Sequence, residues 1–191
     1  FIQNAANRFN NINISLKNIN NIIEHCSLMN QVDQQALEVH RTRINLNEFI
    51  KQYIGALDDT SVSRLQFELA DVVIANSDDY ILKIILTNLI ENALKYSPNE
   101  SIIYISMYVD TFLSKTVSIE ISNQLVQTNI PDVSLIFDRY YRSPLVKNIS
   151  GTGLGLHLSR LLSIRLGGQL SAKIHDSMIT FSLSLPYGDS T

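Results

Sequence analysis

At 191 residues with 45% apolar side chains, the chain is long enough for one substantial domain with its own core plus an appendage. Fifteen basic against 18 acidic residues give a formal net charge of -3, which excludes a broad basic surface for nucleic acid. A single cysteine, Cys26, excludes an internal disulfide and fits a reducing compartment as a small buried hydrophobe; no apolar run approaches the ~18 residues of a membrane span.

The opening segment places Ile2, Ala5, Phe9, Ile12, Leu16, Ile19, Ile23 and Cys26 alternately three and four apart, the a/d pattern of a coiled coil or helical bundle. No Gly or Pro interrupts the chain before Gly55, so a long helix is expected. Its other faces are rich in asparagine, a poor helix former, and the helix must draw stability from whatever packs on the stripe. That is either its own domain or, as the length favours, an oligomeric partner. The periodicity lapses around Leu37 to Ile44, and a domain boundary is placed there, with an appendage over 1–44 and the main domain over 45–191.

Asn47 to Leu57 then reads as an amphipathic helix. Leu65 to Leu69 and Val72 to Ala75 read as two short strands of a hairpin, turning at Ala70-Asp71. Ser77 or Asp78 can cap the next helix, which Ser97-Pro98 ends because proline cannot continue it. At about 100° per residue, Asn88, Glu91, Asn92 and Lys95 share one arc of that helix, opposite Leu82, Ile85, Leu86, Leu89, Ile90 and Ala93. Glu91 and Lys95 are either a solvated i,i+4 pair with incidental asparagines, or part of a ligand face.

Alternation at Ile103, Ile105 and Met107, at Val117, Ile119 and Ile121, and at Phe181, Leu183 and Leu185 marks half-buried strands. Asn123 to Ser150 is irregular and longer than a compact domain normally carries without purpose; a lid is the usual purpose. Gly151-Thr152-Gly153-Leu154-Gly155-Leu156 leads into a helix that stops at Gly167-Gly168. Closely spaced glycines before a helix N-terminus suit a phosphate cradle, although packing or a strained cap also uses glycine. No Gly-Lys-Ser/Thr follows, which rules out a Walker motif, and no strand runs into the cluster, which rules out a dinucleotide fingerprint. The expected fold is α+β: a two-layer α/β sandwich, mixed sheet packed on helices, preceded by a long bundle-forming helix.

Asn-x-x-x-Asn-Ala-x-Lys-Tyr-Ser at Asn88 to Ser97, Phe137 to Arg142, Gly-Thr-Gly-Leu-Gly-Leu at Gly151 to Leu156, Gly167-Gly168, and Thr180 with Leu185-Pro186 occur in one order. Together they resemble the C-terminal catalytic, ATP-binding domain of sensor histidine kinases, a Bergerat or GHKL-type ATPase fold. The resemblance covers Asn45 to Tyr187, and the heptad helix resembles the second helix of the family's dimerisation and phosphotransfer hairpin. It implies ATP and Mg²⁺ as cofactors, with Asn92 on the metal, Asn88 close by, and Lys95 and Tyr96 on phosphate and nucleotide. Gly151, Gly153 and Gly155 with the amides of Leu154 and Leu156 would cradle the phosphates. Thr180 would lie near the adenine. Lys95 and Arg142 are the implied catalytic cations, Arg142 either reaching the γ-phosphate from the lid or standing as a surface arginine.

Two departures from the family pattern stand out. Asn123 replaces the aspartate of Asp-x-Gly-x-Gly, and its carbonyl can still accept from the adenine amino group. Gln124 to Ser150 contains no glycine, so the lid lacks the usual hinges. The phosphoacceptor box is missing, and His40-Arg41-Thr42-Arg43 has neither its acid nor its proline. The resemblance therefore implies a histidine-kinase fragment that transfers the γ-phosphate to a histidine on a dimerisation helix outside the sequence and is inactive in autophosphorylation alone. Its implied partners are that helix, a cognate response regulator or receiver domain, and a second copy in the full-length homodimer. The implied setting is the cytoplasmic part of a membrane-bound bacterial sensor. The alternative is a degenerate nucleotide-binding or regulatory module that acts through protein contacts.

Overall fold

The computed structural model describes residues 2–69, 72–112, 115–126, 130–144 and 151–187. The chain divides into two compact units, Phe1–Glu38 and Val39–Thr191.

The first unit is helix α1 (Ile2–Asp33), 32 residues long as the heptads predict. Gln35 stops it in the left-handed region at φ 55, where the Ala36 and Leu37 amides donate to the Gln31 carbonyl at 2.8 and 3.2 Å. Among the described side chains of the stripe, Ile12, Leu16, Ile19 and Ile23 are each more than half exposed. Cys26 is exposed with them, contrary to its expected burial, because it shares their uncovered face.

The second unit opens with β1 (Thr42–Asn45), α2 (Leu46–Gly55) and the short α3 (Asp59–Val62). It continues through β2 (Leu65–Leu69), β3 (Ile74–Ser77), α4 (Asp79–Tyr96), β4 (Ile103–Asp110) and β5 (Thr116–Gln124). After turns comes α5 (Gly155–Arg165), followed by β6 (Gln169–His175) and β7 (Met178–Pro186). Five strands form a mixed sheet in the order β2-β4-β5-β7-β6, parallel at β2-β4 and antiparallel elsewhere. Ile103, Ile105, Met107, Val117, Ile119, Ile121, Phe181, Leu183 and Leu185 form its buried face. The opposite face carries hydroxyls, paired across strands as Ser118 with Ser184 and Ser122 with Thr180.

The expected hairpin at 65–75 does not form. β2 pairs in parallel with β4, and β3 pairs with β1 in a separate two-stranded sheet, Thr42 opposite Ser77. Two short strands in sequence look the same whether they pair with each other or with distant partners, and the proposed turn, Ala70-Asp71, lies outside the described residues. The β1–β3 pairing lies within the compact unit that runs from Val39.

Asp78, not Ser77, caps α4: its Oδ1 accepts from the Ile81 amide at 3.0 Å. Its Oδ2 accepts from the His40 amide at 2.8 Å, so the residues before β1 are fastened to the start of α4. α4 buries Ile81, Leu82, Ile85, Leu86, Leu89, Ile90 and Ala93, leaving the predicted polar arc on the remaining side.

Candidate active site

The polar arc of α4 faces the glycine segment. Asn88 is buried, and its Nδ2 donates to the Gly155 carbonyl at 3.3 Å and to Ser159 Oγ at 3.1 Å. It therefore ties the middle of α4 to the first turn of α5, which a solvated surface asparagine does not do. At the other end of the arc, a Cβ on Gly151 would stand 3.1 Å from Lys95 Nζ and 3.4 Å from the Tyr96 hydroxyl. A Cβ on Gly155 would stand 3.2 Å from Asn88 Oδ1. The glycine segment thus runs along α4 in the opposite direction, Gly155 beside Asn88 and Gly151 beside Lys95 and Tyr96. Half-buried Asn92 lies one turn beyond Asn88, between the two contacts.

Gly153 explains the central glycine. It sits at φ +70, and a Cβ there would come within 2.6 Å of the Tyr140 carbonyl carbon. The Tyr140 amide donates to the Gly153 carbonyl at 2.9 Å, so the Phe137–Arg142 motif is bonded to the glycine segment through main chain. His157 Nδ1 lies 2.9 Å from the Phe137 carbonyl, Arg160 stacks 5.3 Å from the Phe137 ring, and Phe137 meets Phe181 edge to face at 6.4 Å. These contacts give His157 a structural place.

The Arg142 charge acts on Lys95 and Tyr96. Burial pushes the Lys95 ammonium below its usual range, the Arg142 charge pushes it further, and Glu91 opposes both. Burial raises the Tyr96 phenol, against which Arg142 acts. Lys95 thus stands near a second cation and beside a glycine whose side chain would crowd it, an arrangement of charge and shape that suits an anion. Lys95 Nζ also lies 5.3 Å from the Tyr96 ring. The Leu154 amide donates at 3.3 Å to Thr152 Oγ1, whereas α5 carries no side-chain cap at its N-terminus.

Asn123 is 1% exposed on the buried face of β5, and its Nδ2 donates to the Gln124 carbonyl at 3.0 Å. That assignment leaves Oδ1 as its acceptor. Thr180 is not brought to it. The register pairs Asn123 with Ile179 and Ser122 with Thr180, so Thr180 points to the opposite face of the sheet and its hydroxyl meets Ser122 at 2.8 Å. Sequence reasoning missed Ile179 as the residue beside Asn123; the strand's two-residue period, anchored on buried Phe181, carried the signal.

No group of three or more His, Cys, Asp or Glu able to hold a metal exists among the described residues. The donor set does not fit an all-protein cage. It fits a hard cation carried in on phosphate oxygens and met by one amide oxygen, for which Asn92 is the candidate.

Residues 77–189 match the histidine kinase-, DNA gyrase B-, and HSP90-like ATPase family. The sensor histidine kinase HprS of Escherichia coli is 27% identical over 174 residues, 90% of this chain and 37% of HprS. The probable sensor protein PcoS of Escherichia coli is 32% identical over 142 residues, 73% of this chain and 29% of its own. The chain therefore spans roughly a third of the length of the curated relatives it matches. In fold it is similar to the Acinetobacter baumannii histidine kinase AdeS, with a TM-score of 0.74 at 18% identity over 91% of this chain and 81% of that one. It is also similar to the histidine kinase ThkA solved with the response regulator protein TrrA, with a TM-score of 0.66 at 18% identity over 89% of this chain and 49% of that one. With the family's match covering more than half of the sequence, this chain belongs to the histidine kinase-, DNA gyrase B- and HSP90-like ATPases, as the C-terminal catalytic ATP-binding domain of a sensor histidine kinase.

Proposed function

We propose that the site binds Mg²⁺-ATP between α4 and the Gly151–Gly155 segment and holds the γ-phosphate toward a histidine on a dimerisation helix outside this sequence. The observation that carries this reading is the convergence of Lys95 and Tyr96 on Gly151, with the Arg142 charge acting on both, and of Asn88 on Gly155. Lys95 and Arg142 would neutralise phosphate charge, and the amides of Gly153, Leu154, Gly155 and Leu156 would line the phosphates at the start of α5. Asn92 would hold Mg²⁺ against the triphosphate; the ion supplies charge neutralisation and orientation of phosphate oxygens. Asn123 Oδ1 would accept from the adenine amino group. Thr180 is left without a role in this reading, since it lies on the other face of the sheet. Phosphoryl transfer would rest on positioning and electrostatics rather than on a protein nucleophile in this chain.

In the parent protein the partners would be the phosphoacceptor helix, a second copy and a response regulator, the last supported by the ThkA–TrrA assembly. Residues 1–44 would be the second helix of the dimerisation hairpin with its linker, and 45–191 the catalytic domain. The fragment alone would not autophosphorylate. No helix among the described residues is long and apolar enough to cross a membrane, and a cytoplasmic position below a membrane-bound sensor is part of the proposal. One observation favours a degenerate, regulatory module instead: a neutral asparagine occupies the adenine end.

Calorimetric titration with Mg²⁺-ATP decides between the two. The enzyme reading expects saturable, Mg²⁺-dependent binding that Asn92→Ala strips of its Mg²⁺ dependence. Absence of heat at millimolar nucleotide with a folded protein overturns it in favour of the regulatory one.

A further inference from the structure

Arg64, the residue before β2, makes four side-chain hydrogen bonds. Its Nη1 donates to the Leu94 carbonyl at 3.2 Å, and its Nη2 donates to Ser97 Oγ at 2.5 Å and to the Pro98 carbonyl at 2.9 Å. Its Nε donates to the Ser101 carbonyl at 3.2 Å. Its own carbonyl accepts from the Ile103 amide at 2.8 Å, which fixes the arginine's backbone to the start of β4.

All four acceptors belong to the segment that ends α4. That helix closes on Ser97-Pro98 without a glycine cap, so its last carbonyls need partners from elsewhere. Ser97 supplies one by returning its amide and Oγ to the Ala93 carbonyl at 3.2 and 2.6 Å. Arg64 meets the Leu94 carbonyl and holds the residues that follow the helix, and its positive charge suits the negative end of the helix dipole. The turn held in this way contains Lys95 and Tyr96, the side chains that meet Gly151.

We infer that Arg64 is a positioning residue for the anion site: by spanning four acceptors from Leu94 to Ser101 it sets where Lys95 and Tyr96 stand against Gly151. This rests on the nucleotide reading above. The demand is geometric as well as electrostatic, because a planar guanidinium reaches several separated acceptors at once and an ammonium on a single atom does not.

The test compares the whole chain with Arg64→Lys, Lys95→Gln and the double variant, using calorimetry with Mg²⁺-ATP. Arg64→Lys is expected to weaken affinity about tenfold, since small misplacements of binding groups are costly. In the Lys95→Gln background the same substitution is expected to change affinity clearly less, because one of the two groups it positions is gone. Hydrogen exchange without nucleotide gives a second readout: amides of residues 94–101 should exchange faster in Arg64→Lys while those of β5 stay as in the parent. A purely structural arginine would lower the melting temperature without this non-additivity. Parent-like affinity in a cooperatively folded Arg64→Lys, or equal losses in both backgrounds, overturns the inference and leaves the nucleotide reading intact. Failure of the unaltered chain to bind overturns both. Should Arg64→Lys not fold, Ser97→Ala removes one acceptor, and its unchanged affinity would likewise overturn the inference.

Discussion

Lys95 carries the residue-scale consequence with the clearest sign. Its ammonium is held below the ordinary lysine value by burial first and by Arg142 second, with Glu91 pulling the other way. A phosphate beside it favours the charged form and raises its pKa, so the complex holds the proton more tightly than the free chain. Affinity for ATP should be complete below the free chain's pKa and fall as pH rises through it. The decline is expected at lower pH than for a lysine free of burial and of a neighbouring cation. Lys95→Arg should flatten the profile, because guanidinium stays charged throughout. A fluorescence titration at several pH values measures it; superimposable profiles would remove Lys95 from the phosphates. The grouping of Asn88, Asn92 and Lys95 was legible in the sequence, because helical period alone puts them on one arc. The side of Thr180 was not: motif matching gives a residue but not its strand parity, and a one-residue step reverses the face.

At the scale of elements, the active site is a joint between α4 and α5, and Asn88 is its pin. Ser159 is fully buried beneath it and receives its amide at 3.1 Å. Asn88→Ala removes both donations and leaves the Ser159 hydroxyl and the Gly155 carbonyl short of a partner, which should destabilise the fold by about 1–3 kcal/mol. Chemical denaturation should show this as a lower midpoint at an unchanged slope. A loss below a few tenths of a kcal/mol would mean that water serves those groups as well as Asn88 does. Helix extents, caps and the three alternating strands could be read locally, since each follows from period, a capping side chain or proline. The pairing of β2 with β4 and β3 with β1 could not, because both depend on partners tens of residues away. Arg64 was invisible for the same reason: its four acceptors lie 30 or more positions along the chain.

At the scale of the whole molecule, the two units pose opposite problems. The second buries an apolar sheet face and the apolar sides of its helices, so its stability is internal. The first presents Ile12, Leu16, Ile19 and Ile23 along one side at more than half exposure, on a helix whose asparagine content gives it poor intrinsic stability. Such a stripe draws free energy from association, at about 25 cal/mol for each Å² of apolar surface removed from water. The heptad spacing makes a second copy of α1 the natural cover. Sedimentation of the chain should therefore depend on concentration, and helix content should rise with it. Leu16→Glu places a charge in the middle of the stripe and should leave the chain monomeric at concentrations where the parent associates, with the Mg²⁺-ATP affinity of the second unit unchanged. A parent chain that sediments as a monomer at high micromolar concentration would show that α1 alone does not hold two copies together.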